Sequence, residues 1–154
     1  MYKNTSAQQI LSAKNNPLKN ISLLNPFECI EYLVALENSN CASKETGWQP
    51  MHFYKSKRNK SAFINLYKKN NSHGEFVFDY SWANAFIRNG LSYYPKLVSA
   101  IPFTPCKSKK VFGDDEISNE LIDEIKKMMH DESINSWHIL FPVNEERKVF
   151  LKHD

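Results

Sequence analysis

The stretch SWANAFIRNGLSYYPKLVSAIPF, residues 81–103, decides the fold class because a helical pattern passes directly into a strand pattern. Its first part carries apolar side chains at helical spacing. Arg88 favours the negative end of the helix dipole, and Gly90 suits the position just after a helix end. The apolar run 96–103 that follows is bracketed by prolines, which are tolerated near strand ends. We therefore predict a helix followed by a strand.

The chain before this stretch predicts a helix and a β-hairpin. Asn25 is placed to cap a helix that has Pro26 at its first position, and apolar residues then recur at helical spacing. Apolar residues alternate with polar ones at 51–53 and 62–66, as is typical of half-buried strands. We interpret the polar segment 55–60 between them as the hairpin connection.

The chain after the stretch predicts two more helices around a strand. Residues 114–130 carry acidic residues first, lysines later and one apolar stripe, which indicates an amphipathic helix. Residues 136–141 are expected to form a short strand, and Asn144 to cap a last helix. This order predicts a single α/β (α+β) domain over residues 1–154, with a mixed sheet of about four to five strands and helices on both faces.

Composition limits the class of protein. The net charge of +3, from 20 Lys and Arg against 17 Asp and Glu, is too small to indicate nucleic-acid binding alone. No run approaches the roughly 18 apolar residues that span a bilayer, and the first residues lack the apolar core of a signal peptide. Cys29, Cys41 and Cys106 show no metal-ligand spacing. We expect a cytoplasmic protein with reduced thiols and no metal site.

Two segments carry opposite local charge. Basic residues cluster within 55–69, and acidic residues cluster within 114–124. One interpretation is a solvated hairpin tip and a solvated helix face. The other is a docking patch for a phosphate-bearing ligand or tRNA.

The region 72–105 mixes aromatic side chains with ionisable groups, which is what a ligand pocket needs. In such a pocket a buried carboxylate with a raised pKa, from Glu75 or Asp79, would accept a proton from an amine. Tyr94 is the candidate acid that returns a proton to a leaving group. The candidate substrate-binding residues in the same region are His73, Trp82, Tyr93, Lys96 and Thr104.

Structural roles remain open for several of these residues. Glu75 also suits a surface carboxylate or an anchor at a helix start, and Asp79 suits a helix cap. At least one of the adjacent tyrosines, Tyr93 and Tyr94, is expected to be structural. The chain has no glycine-rich nucleotide loop, no nucleophile elbow and no zinc-binding HExxH motif that would decide between these roles.

Five phrases occur in order over about sixty residues and together carry a family resemblance. They are GWQPMH (47–52), SHGEFVFD (72–79), WANA (82–85), YYPKL (93–97) and IPFTP (101–105). In these phrases the sequence resembles the FemAB-like family of peptidoglycan biosynthesis and recognition, whose members have a GNAT-type acyltransferase fold. Weaker similarity continues through residues 137–142.

The resemblance implies an N-acyl or aminoacyl transferase that uses acyl-CoA or aminoacyl-tRNA as co-substrate and holds no permanent cofactor. The implied acceptor is a small-molecule or cell-wall precursor amine. Members typically place a glycine-containing loop after the last phrase, whereas residues 106–110 contain no glycine. Lys107, Lys109 and Lys110 would supply the positive charge for a phosphate instead.

Members also run to more than twice this length, so the chain resembles the amino-terminal part of the family architecture. We therefore expect a truncated or split half that works with a carboxyl-terminal half or as a homo-oligomer. The alternative function is a half-domain that binds a ligand or partner without catalysis.

Overall fold

The computed structural model describes residues 5–19, 25–77 and 79–151, and the chain forms two β-sheets with five helices among them. The helices are α1 (Ala7–Leu11), α2 (Ile30–Asn38), α3 (Tyr80–Arg88), α4 (Asp115–Asp131) and α5 (Asn144–Leu151). The strands are β1 (Gln49–Pro50), β2 (Phe53–Lys57), β3 (Lys60–Ile64), β4 (Tyr67–Lys69), β5 (Lys96–Ser99), β6 (Val111–Gly113) and β7 (Trp137–Ile139).

The larger sheet has the strand order β1-β4-β5-β7 and is mixed, because β5 and β7 are parallel while the other neighbours are antiparallel. The smaller sheet has the order β2-β3-β6 and is antiparallel throughout. The predicted α/β class is confirmed, and the four strands of the mixed sheet agree with the predicted four to five. The arrangement is consistent with a GNAT-like α+β fold. The predicted hairpin forms, but it belongs to the separate smaller sheet.

Helices cover both faces of the smaller sheet because successive side chains of a strand point to opposite faces. Ala62 and Ile64 of β3 belong to the core cluster beneath α4. Phe63, between them, belongs to the cluster formed with α1 and α2. Burial of each large apolar side chain contributes about 1.5–3 kcal/mol, so both faces add to stability.

Helix α4 follows the predicted pattern closely. The Asp114 side chain accepts hydrogen bonds from the backbone N–H groups of Glu116 and Ile117 and so caps the helix. In the apolar stripe Leu121, Ile125 and Met128 are fully buried, and Met129 is partly buried. Met128 therefore packs in the core, as expected from its spacing.

The basic hairpin lies against the acidic face of α4. Lys55 contacts Glu120 and Glu124 at 2.8 and 2.5 Å, and Lys57 contacts Glu120 at 2.6 Å. Near the hairpin tip, Lys60 lies 2.9 Å from Asp114. The two charged segments therefore compensate each other's charge, and these exposed pairs add little to the stability of the fold.

Several predicted boundaries were wrong. Asn25 caps a short 3-10 turn at Pro26–Glu28, and α2 begins only at Ile30. The hairpin strands extend so far that only residues 58–59 connect them, and the predicted strand 96–103 ends at Ser99. The short strands β1, β4 and β6 were not predicted, because two or three residues carry no measurable alternation.

Asn65 joins the two sheets at the point where the chain leaves β3 and enters β4. Its backbone N–H donates to the Lys110 carbonyl at 3.0 Å, and its side-chain amide donates to the Ala100 carbonyl at 3.1 Å. Its own carbonyl accepts a hydrogen bond from the Ser99 hydroxyl at 2.6 Å. These bonds replace the ladder bonds that the chain loses when it changes sheets.

None of the described helices combines the length and the apolar character that would let it cross a membrane.

A substitution at Gly113 would test how closely strands β3 and β6 approach each other. Its φ of +111° is unfavourable for other residues, and an added Cβ would lie 2.1 Å from the Ser61 carbonyl oxygen. We expect Gly113→Ala to lower the free energy of unfolding by about 3 kcal/mol or more. Chemical denaturation measures the change.

The matched control is Gly90→Ala, because Gly90 also has a positive φ, +70°, but no atom lies within 4 Å of its added Cβ. We expect this control to lower the free energy of unfolding by only about 1 kcal/mol, from backbone strain. Equal losses for both variants would contradict the close approach of the strands.

Candidate functional site

Two buried lysines stand opposite each other on neighbouring strands of the larger sheet. Lys69 of β4 is the register partner of Lys96 of β5, and both side chains are fully buried. Like charges directly opposite each other destabilise a sheet, and a buried ammonium needs a compensating partner. The pair therefore requires negative charge close by.

The loop before α3 supplies that charge. Lys96 Nζ lies 2.8 Å from Glu75 Oε2 and 2.5 Å from Asp79 Oδ2. Lys69 Nζ lies 3.8 Å from Glu75 Oε1, so each lysine has a carboxylate. Both carboxylates are 2% exposed. We call these four residues the Lys96 cluster, and its formal charges sum to zero.

The backbone turn at 73–74 holds Glu75 in place. The His73 carbonyl accepts hydrogen bonds from Lys69 Nζ at 2.9 Å and from the Trp48 indole N–H at 3.1 Å. Gly74 has a φ of +75°, and a Cβ there would lie 2.5 Å from the Phe103 ring. Glycine is therefore required at this turn, both for the backbone conformation and for the close ring.

Three hydroxyl groups extend the Lys96 cluster. Tyr93 donates to Asp79 Oδ2 at 2.6 Å, and Ser72 donates to Asp79 Oδ1 at 2.5 Å. The Ser72 and Tyr94 oxygens are 2.6 Å apart. Because the one proton of Ser72 is given to Asp79, Tyr94 must donate in that pair. Ser72 also lies 3.3 Å from Lys96 Nζ. A chain of hydrogen bonds thus links the half-buried Tyr94 hydroxyl to the buried ions.

The two carboxylates have different proton affinities. Burial alone raises the pKa of Asp79, but hydrogen bonds from Lys96, Ser72 and Tyr93 outweigh it and bring the pKa to about 2. Burial raises the pKa of Glu75 above its ordinary value, although Lys96 opposes the change. Asp79 is therefore the firmly ionised member, and Glu75 takes up a proton more readily.

The pKa values of two basic side chains near these carboxylates also differ from their ordinary values. Burial lowers the pKa of Lys69 to about 8, although the charge of Glu75 opposes the change. Burial and the charge of Lys96 lower the pKa of His138, whose ring lies 6.0 Å from that of Tyr93. A neutral imidazole therefore stands beside the cluster at neutral pH.

The structure brings together five residues that the sequence predicted for the site. Glu75, Asp79, Tyr93, Tyr94 and Lys96 form one hydrogen-bonded group. Glu75 is not a surface carboxylate, and the Asp79 side chain makes no capping bond to α3 because it bonds the cluster instead. Tyr93 is buried and Tyr94 is half-buried.

The family model described as FemAB-like, peptidoglycan biosynthesis/recognition, matches residues 6–154. The chain belongs to the FemAB-like family. This match confirms the resemblance carried by the sequence phrases, two of which contribute residues to the Lys96 cluster. No curated protein and no solved structure matches the chain.

Three predicted substrate-binding residues of this FemAB-like chain lie outside the hydrogen-bonded group. The His73 side chain is exposed, and only its carbonyl contacts the cluster. Trp82 is 67% exposed on α3. The Thr104 hydroxyl lies 3.4 Å from that of Tyr32, within a different part of the core.

The three loop lysines have different surroundings. Lys107 and Lys109 are exposed. Lys110 is fully buried, and its Nζ donates at 2.6 Å to both the carbonyl and the hydroxyl of Ser108. Burial lowers the pKa of Lys110 to about 8. A phosphate from solvent could therefore contact Lys107 and Lys109, which are exposed, but not the buried Lys110.

Sequence reasoning missed Lys69, Ser72, Trp48 and His138 as members of this site. Ser72 and Trp48 stand within the family phrases, which was the available signal. Lys69 was grouped with the basic hairpin, because only the strand register reveals its position opposite Lys96. No group of metal-ligating side chains that could hold an ion occurs in the described part of the chain.

Lys96 is the centre of the cluster, so its removal should be costly. We expect Lys96→Met to lower the free energy of unfolding by about 3–5 kcal/mol, because it leaves two buried carboxylates without their main partner. The control Lys55→Met removes two partly exposed ion pairs and should cost about 1 kcal/mol or less. Denaturant titration at neutral pH compares them. A similar small loss for both variants would contradict the burial of the cluster charges.

The dependence of stability on acidic pH tests the lowered pKa of Asp79. Its pKa falls from 3.8 to about 2 on folding, so its ionised form stabilises the protein above pH 4. This contribution, up to about 2 kcal/mol, is lost as the pH falls from about 4 to about 2. We expect Asp79→Asn to be less stable than wild type at pH 6 and to lose less stability across that range. Parallel slopes for the two proteins would contradict the lowered pKa.

Proposed function

We propose that this protein transfers an acyl or aminoacyl group to an amine acceptor related to cell-wall precursors, and that it does so at the Lys96 cluster. The observation that carries the proposal is the chain of hydrogen bonds from the half-buried Tyr94 hydroxyl through Ser72 to the buried ions. Membership of the FemAB-like family supports the cell-wall connection.

Acyl transfer to an amine needs a group that both donates and accepts a proton. When an amine attacks the acyl carbonyl, a C–N bond forms, the bond to the leaving sulfur or oxygen breaks, and one proton passes from nitrogen to the leaving atom. A tyrosine hydroxyl that gives its proton to the leaving atom and takes one back from the nitrogen completes this exchange. Tyr94 is the residue of the network that we propose for this role.

The rest of the network would stabilise Tyr94 during the exchange. Once Tyr94 has given up its proton, the Ser72 hydroxyl can rotate to donate to the phenolate oxygen. Lys96 Nζ lies 5.8 Å from the Tyr94 ring centroid and provides positive charge. Asp79 and Glu75 would keep Lys96 charged and in place, so we propose that these carboxylates position the lysine and do not contact substrate.

The donor is proposed to be acyl-CoA or aminoacyl-tRNA, bound as a co-substrate in the cytoplasm and released after transfer. Both donors carry phosphate, and the exposed Lys107 and Lys109 are the loop cations available to it. The hairpin lysines are less suited to this role, because α4 already compensates their charge.

A second candidate function is a non-catalytic half-domain that binds a carboxyl-terminal half or a second copy. The observation that favours it is α3, which has no buried residue. Trp82 and Ile87 on this helix are each 67% exposed, and Phe76 before it is 58% exposed. Exposed apolar surface of this kind is typical of a binding surface.

The Tyr94→Phe variant tests the proposed transfer. We expect it to lower kcat/KM about 100-fold, because the variant keeps the ring and loses the proton. The control Tyr54→Phe removes a tyrosine hydroxyl that bonds the Asn15 carbonyl, outside the cluster, and should leave the rate unchanged. The assay follows amide formation by mass spectrometry with acetyl-CoA or with aminoacyl-tRNA, and a stem-peptide amine as acceptor.

Equal rates for wild type and Tyr94→Phe would contradict the role of Tyr94. Transfer by neither donor, with the chain alone or joined to a carboxyl-terminal half, would favour the binding function instead.

A further inference from the structure

A cavity of about 360 Å³ lies away from the Lys96 cluster, between β6 and the facing sides of α4 and α5. No residue of the Lys96 cluster lines it. Its walls are partly apolar, with Val111, Phe112 and Val149. Its charged lining residues are Lys109, Asp115, Glu145 and Glu146, so carboxylates outnumber ammonium groups by three to one.

Glu146 is the unusual member of this lining because it is only 6% exposed. Its Oε1 accepts backbone hydrogen bonds from Lys110 at 2.7 Å and Val111 at 2.8 Å. Its Oε2 is buried and has no hydrogen-bond partner among the described residues. An unpartnered buried carboxylate oxygen costs stability, and a bound donor group would remove that cost.

The nearest buried ammonium cannot serve as this donor. Lys110 Nζ bonds the carbonyl and hydroxyl of Ser108 and approaches the Phe141 carbonyl at 3.4 Å, so its three hydrogens have other acceptors. Lys109 also lines the cavity, but its side chain is exposed and forms no hydrogen bond to Glu146 Oε2, so Glu146 retains one oxygen for a ligand.

The charges of the cavity select the class of ligand. The start of α4 would attract an anion, but Asp114 already caps it and Asp115 adds negative charge there. Within the described ranges, no three acidic, His or Cys side chains are grouped closely enough to hold a metal ion. An organic cation with an apolar chain satisfies both the carboxylates and the aliphatic walls.

We propose that this cavity is a second binding site, for a primary alkylammonium group, in which Glu146 Oε2 accepts a hydrogen bond from the ammonium. The site is separate from the proposed transfer site, so amine binding here does not depend on acyl transfer.

The experiment uses the whole chain and 1,5-diaminopentane as the probe, without any acyl donor. We expect the probe to shift the backbone amide resonances of Lys110 and Val111, whose N–H groups bond Glu146. Pentan-1-ol has the same carbon chain without positive charge and should leave those resonances in place. Titration of the shifts gives the Kd.

The Glu146→Gln variant removes the charge but keeps an oxygen for the two backbone N–H groups, so it should remain folded. We expect it to raise the Kd at least tenfold, because the oxygen offered to the ammonium becomes an NH₂ group. The control Glu145→Gln removes one exposed carboxylate from the same cavity and should raise the Kd less than threefold. Thermal melting confirms that both variants are folded.

Each of three results would overturn the proposed site. They are unchanged amide resonances of Lys110 and Val111 with the diamine, equal changes in these resonances with pentan-1-ol, and an unchanged Kd of the diamine in Glu146→Gln. None of them bears on acyl transfer, since no donor is present.

Discussion

The buried ammonium of Lys96, held between two carboxylates, is the interaction on which the arrangement of the larger sheet depends. Lys96 begins β5 with no exposed surface, opposite a second buried lysine on β4. Such a pair is tolerable only if Glu75 and Asp79 come within hydrogen-bond distance. The turn at Gly74 and the bonds to the His73 carbonyl follow from that requirement, since they bring the loop over the strand ends.

Buried charges of this kind are a poor means of stabilising a fold. A well-packed apolar group in place of a buried ion pair often leaves stability unchanged or improved. Three lysines of the hairpin reach α4 at the surface and are compensated there with little desolvation. We therefore propose that the Lys96 cluster serves chemistry and not stability, since a chain of hydroxyl groups leads from its ions to Tyr94.

The sequence predicted elements whose signals are local. The stripe and cap of α4, the alternation of the β2–β3 hairpin and the residues around Gly90 all act within a few positions, and each element is present in the structure. The register between strands that are distant along the chain leaves no local signal in the sequence. The opposition of Lys69 and Lys96 and the contact of Lys55 with Glu120 could not be predicted, because each joins segments separated along the chain.

Three of the four residues of the Lys96 cluster were named from the sequence, which left their roles open. The family phrases located Glu75, Asp79, Tyr94 and Lys96, yet cap and surface roles stayed open until burial was known. Asp79 illustrates the reason. An aspartate before a helix normally caps it, but here the carboxylate pairs with the buried Lys96 ammonium and accepts hydrogen bonds from the Ser72 and Tyr93 hydroxyl groups.

Two buried carboxylate oxygens without a hydrogen-bond partner distinguish the two polar centres of the described chain. Glu75 Oε1 has Lys69 Nζ 3.8 Å away, so its charge is compensated across a gap that a small shift of the side chain would close. Glu146 Oε2 has no hydrogen-bond partner among the described residues, and the hydrogens of the nearby Lys110 are directed to other acceptors. The first centre thus has an ammonium facing its unpartnered oxygen, whereas the second keeps an oxygen for the alkylammonium group that we propose as its ligand.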